Sequence, residues 1–132
     1  MPPTRPGLTA GPRLLVVDDE ASARRVCAEL LRRHRYSVDI AEHGEVALSI
    51  LRATADEPWV VVCDWRMPVV GGAEFLRRVR TLERPPAVIV TSGYDTARED
   101  ALAAGACAFL QKPFPLSQLL EAVRQAAETV DA

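Results

Sequence analysis

Five residues of this chain combine reactive chemistry with a shared kind of position. Leu14–Val17 ends at Asp18-Asp19, Val60–Cys63 at Asp64, Val88–Val90 at Thr91, and Ala108–Leu110 reaches Lys112 after one residue. Carboxylates gathered together repel one another and need a cation at neutral pH. Oxygen donors select a hard divalent ion, and Mg²⁺ keeps several waters and leaves positions for phosphate oxygens. A carboxylate is also a nucleophile toward phosphorus, giving an aspartyl phosphate. A hydroxyl and an ammonium suit the equatorial phosphoryl oxygens, whose positioning and neutralisation are most of what phosphoryl transfer asks of a protein.

Each piece has a plainer use by itself. Asp18-Asp19-Glu20 caps and charges a helix start, Asp64 starts a turn, Thr91-Ser92-Gly93 is ordinary strand-exit chemistry, and Lys112-Pro113 makes an exposed turn. Together, at the ends of successive apolar runs, they point to one crevice. Lys112 stands out further, because Lys and Arg total 16 and Lys112 is the only lysine. A compact point charge on a flexible stem suits a small anion better than a planar fork does.

The elements that must position these residues alternate along the chain. The runs Leu14–Val17, Val60–Cys63, Ala87–Val90 and Ala106–Leu110 read as strands covered on both faces, with Val38–Ala41 a weaker one. Helices are expected at Ser22–Arg35, with Val26, Leu30 and Leu31 on one buried face, and at Gly44–Ala53, Ala73–Leu82, Thr96–Ala104 and Leu116–Thr129. Gly105 suits a helix end, and Pro85-Pro86 stops the third helix. Five strands alternating with five helices predict an α/β, doubly wound parallel sheet. Strand order 2-1-3-4-5 would set the first and third strands side by side at the switch point, making Asp18, Asp19 and Asp64 neighbours. The second strand, at the far edge, ends in Ala41-Glu42 and adds no reactive group. Residues 1–12, rich in proline and glycine, read as a disordered tail, and residues 13–130 as one domain.

Bulk properties narrow the classes. The 132 residues are 48% hydrophobic and 26% charged, which is globular. A net charge of -2 argues against direct nucleic-acid binding. No apolar stretch approaches the roughly 18 residues of a membrane span, and the start lacks the apolar core of a secretory signal. The expected compartment is the cytoplasm. Cys27, Cys63 and Cys107 lack metal-ligand spacing and read as small buried hydrophobes. His34 and His43 read as surface residues, and Arg77, Arg78, Arg80 and Arg84 as a solvated helix face.

The motifs Leu-Leu-Val-Val-Asp-Asp-Glu (14–20), Cys-Asp-Trp-Arg-Met-Pro-Val-Val-Gly-Gly (63–72), Val-Ile-Val-Thr-Ser-Gly (88–93) and Phe-Leu-Gln-Lys-Pro-Phe (109–114) closely resemble those of response regulator receiver domains. These belong to the CheY-like superfamily of two-component signalling, and the likeness spans nearly all of Arg13–Thr129. It implies a flavodoxin-like fold and a phosphoryl group received on Asp64 from a sensor histidine kinase or a histidine phosphotransfer protein. It implies Mg²⁺ (or Mn²⁺) held by Asp19, by Asp64, by Asp18 mostly through water, and by the Arg66 backbone carbonyl. Lys112 would hold the phosphoryl group, with Lys112-Pro113 typically cis. Thr91 and Phe109 would form a switch that moves inward and changes the face of the fourth helix, fifth strand and fifth helix. Such a protein is a signalling switch that catalyses only its own phosphorylation and dephosphorylation.

Departures and rivals remain. Arg66 and Gly93, two residues past Asp64 and Thr91, border the path of an attacking water, so an altered phosphoryl lifetime is expected. Ser92 stands where a smaller residue is commoner, and Cys107-Ala108 replaces the acidic pair of one dimerising subfamily. Arg24-Arg25 and Arg32-Arg33 are candidate contacts for a partner kinase. A receiver-like docking module that is not phosphorylated is one alternative. An aspartyl-phosphate phosphatase would need a second acid near Asp64, where position 66 is Arg. A flavodoxin-like cofactor binder would need a glycine- or hydroxyl-rich loop where this chain has Asp-Asp-Glu. With no effector domain after Ala132, the chain is expected to be a stand-alone receiver or a fragment of a longer regulator or hybrid kinase.

Overall fold

The computed structural model describes residues 12–131; the expected tail therefore lies, except for Pro12, outside the described residues. Five strands, β1 (Arg13–Val17), β2 (Val38–Ala41), β3 (Trp59–Asp64), β4 (Ala87–Ser92) and β5 (Ala108–Gln111), form one parallel sheet in the order β2-β1-β3-β4-β5. Helices α1 (Ala21–Arg33), α2 (Gly44–Ala53), α3 (Gly72–Val79), α4 (Arg98–Ala103) and α5 (Leu116–Asp131) connect and cover them, with a 3-10 turn at Asp95–Ala97 before α4. The expected architecture is the observed one.

The apolar strands follow from a sheet with two dry faces. Leu15, Val17, Val61, Cys63, Val88 and Val90 pack with Leu48, Phe75 and Leu76 on one side. Leu14, Val16, Val60, Val62 and Ile89 pack with Leu31, Leu119 and Val123 on the other. Alternate residues of a strand point to opposite faces, so no position in these runs is free to be polar until the strand leaves its cover. Each such fully buried side chain contributes about 1.5–3 kcal/mol of transfer free energy.

Several boundaries differ from expectation. α1 ends at Arg33, because Arg35 takes a left-handed backbone (φ 71) and the Tyr36 N–H turns back to the Leu31 carbonyl at 3.3 Å. Its buried residues are Ala28 and Leu31, whereas Val26 is 56% exposed. Val26 and Leu30, four residues apart, share a stripe that lines a groove of about 400 Å³ together with Phe114, Leu116 and the sheet residues Val16 and Val62. α3 stops at Val79, β5 starts at Ala108 rather than Ala106, and the fourth helix opens with its 3-10 turn. β3 and β4 run further than their apolar stretches, so Asp64 and Thr91 are strand residues in register with one another.

Two surface expectations are also corrected. Cys63 is buried and Cys27 half-buried, but Cys107 is exposed because β5 begins after it. Arg78 does not merely solvate α3: it bonds Glu74 on its own helix at 2.8 Å and Glu45 on α2 at 2.7 Å, tying the two helices.

The loop after β3 carries local strain. Val69 is 88% exposed and has φ 68, a left-handed conformation that a β-branched residue rarely adopts. Asn tolerates that region, and the penalty for an ordinary residue there is about 1–2 kcal/mol. Val69→Asn should therefore raise stability by about 1 kcal/mol in urea unfolding with an unchanged denaturant slope. An unshifted midpoint would refute the strain.

Candidate functional site

The sheet order puts the ends of β1 and β3 next to each other, with β4 beside β3 and β5 beyond it. Register then sets the details. Val17 pairs with Cys63, so Asp18 follows β1 at the level of Asp64, and Asp64 itself pairs with Thr91. The Lys112 N–H donates to the Ser92 carbonyl at 2.7 Å, which carries β4–β5 pairing as far as the lysine. The Lys112-Pro113 bond is cis, as the sequence resemblance implies.

The side chains converge. Lys112 Nζ lies 3.2 Å from Asp18 Oδ2 and 3.4 Å from Asp64 Oδ1. Asp18, Asp19 and Asp64 each offer a carboxylate oxygen, and these atoms lie within 4.8 Å of one another. Asp18 is buried and Asp19 exposed, while the Asp64 side chain is 14% accessible, enough for a small reactant to reach it. Three carboxylates face one ammonium, so the cluster is short of positive charge, and its all-oxygen donor set fits a hard divalent cation.

The surrounding backbone holds this cluster still. Asp18 Oδ1 accepts from the Glu20 N–H at 3.0 Å, and the Glu20 carboxylate caps α1 by accepting from the Ser22 N–H at 3.2 Å. Arg24, a candidate partner contact in the sequence, donates to the Asp18 carbonyl at 2.7 Å and so braces the cluster. The Trp65 N–H donates to the Thr91 carbonyl at 2.9 Å, and the Gly72 N–H to the Trp65 carbonyl at 2.9 Å. A Cβ at Gly72 would come within 2.6 Å of the Trp65 ring and 2.9 Å of its carbonyl, so only glycine lets the loop close under the acceptor strand.

The switch candidates are both inside. Thr91 is 4% and Phe109 6% exposed, and Phe109 packs in the cluster that holds Ala97 and Ala101. The Arg98 guanidinium of α4 lies 4.8 Å from the Phe109 ring centroid. Arg66, exposed, stacks on Tyr94 at 4.2 Å. Tyr94 and Arg98 were not legible as site-adjacent in the sequence. Their residue types were the only signal, since each partner comes from a different element.

Electrostatics at the site set burial against pairing. Burial pushes the Asp64 carboxyl up, the Lys112 ammonium pulls it down, and Asp18 and Asp19 push it up again, so its pKa stands above the ordinary value. Burial works against the Lys112 charge, but Asp64 and Asp18 outweigh it and raise the ammonium's pKa. Burial also raises the Cys63 thiol beneath the acceptor and pushes Cys27 up to about 11, which keeps both thiols protonated at neutral pH. A carboxyl that holds its proton more tightly when folded contributes its full stability below the unfolded value of 3.8 and loses it as pH rises through the folded value. Asp64→Asn removes that loss. Its melting temperature should exceed the parent's at neutral pH, with the gain shrinking as the solution is acidified through the carboxylate range. A gain independent of pH would count against this assignment.

Comparison with known proteins agrees with this architecture. Residues 14–124 match the family model of the response regulator receiver domain. The response regulator MprA of Mycolicibacterium vanbaalenii is 36% identical over 114 residues, covering 85% of this chain and 48% of that protein. The alkaline phosphatase synthesis transcriptional regulatory protein SphR of Synechococcus elongatus is 33% identical over 128 residues, covering 90% and 50%. The chain thus spans about half the length of these curated relatives. Among solved structures, a response regulator receiver domain protein from Clostridium thermocellum superposes with a TM-score of 0.83 at 27% identity, over 89% of this chain and 95% of that one. FixJ-N superposes with a TM-score of 0.78 at 30% identity, over 91% and 96%. No helix among the described residues is long and apolar enough to cross a membrane. The match of residues 14–124 to this family model, with relatives above 30% identity over most of the chain, shows that the chain belongs to the response regulator receiver domain family.

Proposed function

We propose that this domain accepts a phosphoryl group on Asp64 from a histidine of a sensor kinase or phosphotransfer protein, and that the modified form biases the face built from α4, β5 and α5. The observation that carries this reading is the seating of one ammonium, Lys112 Nζ, between Asp18 and Asp64 at 3.2 and 3.4 Å, with the Thr91 backbone paired beside the acceptor. An Asp64 carboxylate oxygen forms the new bond to phosphorus. The bond from phosphorus to the partner's imidazole nitrogen breaks, and its electron pair stays on that nitrogen.

The chain's own residues position and neutralise. Lys112 faces the developing charge on a phosphoryl oxygen, and the Thr91 hydroxyl donates to another. Mg²⁺ (or Mn²⁺), for which Asp19, Asp64, Asp18 through water and the Arg66 carbonyl are the proposed ligands, would supply charge neutralisation at the phosphoryl oxygens. Burial of Asp64 leaves room for a small phosphodonor and little bulk water.

The output follows from charge. A dianionic group beside Thr91 draws its hydroxyl, and the segment from Ser92 to α4 is continuous with it. Phe109, in the same buried cluster as Ala97 and Ala101 and under Arg98, carries that change to α4 and β5. This is a population shift between two arrangements, driven by their different affinity for the anion. The downstream effector is a separate domain or protein that reads the face. A role confined to signalling, with no outside metabolite turned over, follows from the same reading.

Incubation with acetyl phosphate and Mg²⁺, read by intact mass, should add one phosphoryl group to the parent and none to Asp64→Ala. Lys112→Ala should slow the gain by about two orders of magnitude. A parent that stays unmodified, or an Asp64→Ala variant that gains the same mass, would overturn the assignment.

A further inference from the structure

Two helices divide one face of the sheet. α1 packs on β1 and β2, and α5 on β3, β4 and β5. Between them runs the groove of about 400 Å³, with the sheet residues Val16 and Val62 in its lining. Ala23, Val26 and Leu30 line it from α1, and Phe114 and Leu116 from the chain after β5. Val26 is 56% exposed, so the groove opens to solvent along α1. At the carboxyl edge of the sheet the lining turns polar, with Asp18, Thr91 and Lys112. A mostly apolar concavity of roughly 300–1,000 Å³ with a few convergent polar groups is the usual form of a small-molecule site.

Charge at that edge selects the ligand. Asp18, Asp19 and Asp64 bring carboxylate oxygens within 4.8 Å of one another, and the ammonium seated among them is that of Lys112. One more monovalent cation leaves the cluster still short of positive charge. A carboxylate oxygen that already accepts from Lys112 has a second lone pair to offer. The Cys27 thiol, inside the groove, feels the same imbalance: burial raises its pKa most, Asp18 raises it further, and Lys112 lowers it less than Asp18 raises it.

We propose that the groove between α1 and α5 binds a small amphipathic amine, its apolar body between Val26, Leu30 and Phe114 and its ammonium at Asp18. The apolar body replaces water along Val26 and Leu30, and the ammonium donates to a carboxylate of the cluster. Such a ligand meets the same deficit of positive charge that a divalent cation would, so amine and Mg²⁺ oppose each other's binding. The inference uses the groove and the acidic cluster, and does not require phosphoryl transfer to Asp64.

The test titrates the whole chain with 4-phenylbutylamine, 4-phenylbutan-1-ol and 4-phenylbutanoate, followed by ¹H–¹⁵N NMR. The amine should shift the amides of Ala23, Val26, Leu30 and Phe114 and bind about fivefold more tightly than the alcohol, the factor of one partly exposed ion pair. The carboxylate should bind more weakly than either. Mg²⁺ should weaken the amine severalfold and leave the alcohol unchanged. Ala23→Leu, which fills the groove, should abolish binding. Val26→Ser, at an exposed position that leaves the core intact, should weaken the amine about threefold through lost apolar contact. Equal affinity for amine and alcohol, an amine indifferent to Mg²⁺, or shifts confined to residues outside the groove would each overturn the proposal. Binding by none of the three probes would also overturn it and leave the groove to a side chain of a macromolecular partner. A parent that gains no phosphoryl mass from acetyl phosphate would refute the phosphoacceptor reading alone, with amine binding unaffected.

Discussion

Asp18, Asp64 and Lys112 form one electrostatic unit, and the fold around it is organised so that this unit sits where water and dry core meet. Three carboxylates including Asp19 share a small volume with a single ammonium. Such a cluster opposes folding if sealed inside and loses its mutual influence if fully exposed. The end of a doubly covered parallel sheet is the place between those extremes. Strands β1 and β3 are adjacent, so two acidic loops start side by side, and β5 brings the lysine from two strands away. Asp64 has a raised pKa despite its lysine because burial outweighs pairing. The site is held in a state the rest of the core must stabilise, a common relation between functional groups and scaffolds.

Around that unit the loops divide the work. Gly72 lets the β3–α3 loop close on the Trp65 carbonyl, and Val69 in the same loop stands exposed in a left-handed conformation. Strain of this kind persists where the surrounding structure over-determines the backbone. On the opposite side, Ser92 turns the β4–α4 segment, and two arginine–aromatic stacks hold it: Arg66 on Tyr94 and Arg98 on Phe109. Segments fastened by a few exposed contacts are the low-stability elements that switching draws upon. The α1 groove lined by Val26, Leu30 and Phe114 borders the same edge, which places apolar surface next to the reactive groups.

Much of this was legible in the residues themselves. The apolar runs before Asp18, Asp64 and Thr91, and the lone lysine after Ala108–Leu110, follow from short-range physics: a strand dry on both faces must be apolar until it ends, and its first polar residue marks the edge. Strand order and the sharing of one edge were likewise anticipated, whereas the cis Lys112-Pro113 bond was implied only by the family resemblance. Tertiary packing alone decided the rest. Helix periodicity marks a stripe but not what covers it, so Val26 fell in a groove and Ala28 in the core. Two arginines became braces once their partners were placed: Arg24, a candidate partner contact in the sequence, on the Asp18 carbonyl, and Arg78, read as solvent-facing, between two helices. The stacks of Arg66 and Arg98 join residues from separate loops and strands, and no spacing along a chain encodes a contact whose distance is set by the sheet. Local propensity and hydrophobic period determine which residues end each strand; only the assembled sheet determines which of those ends touch.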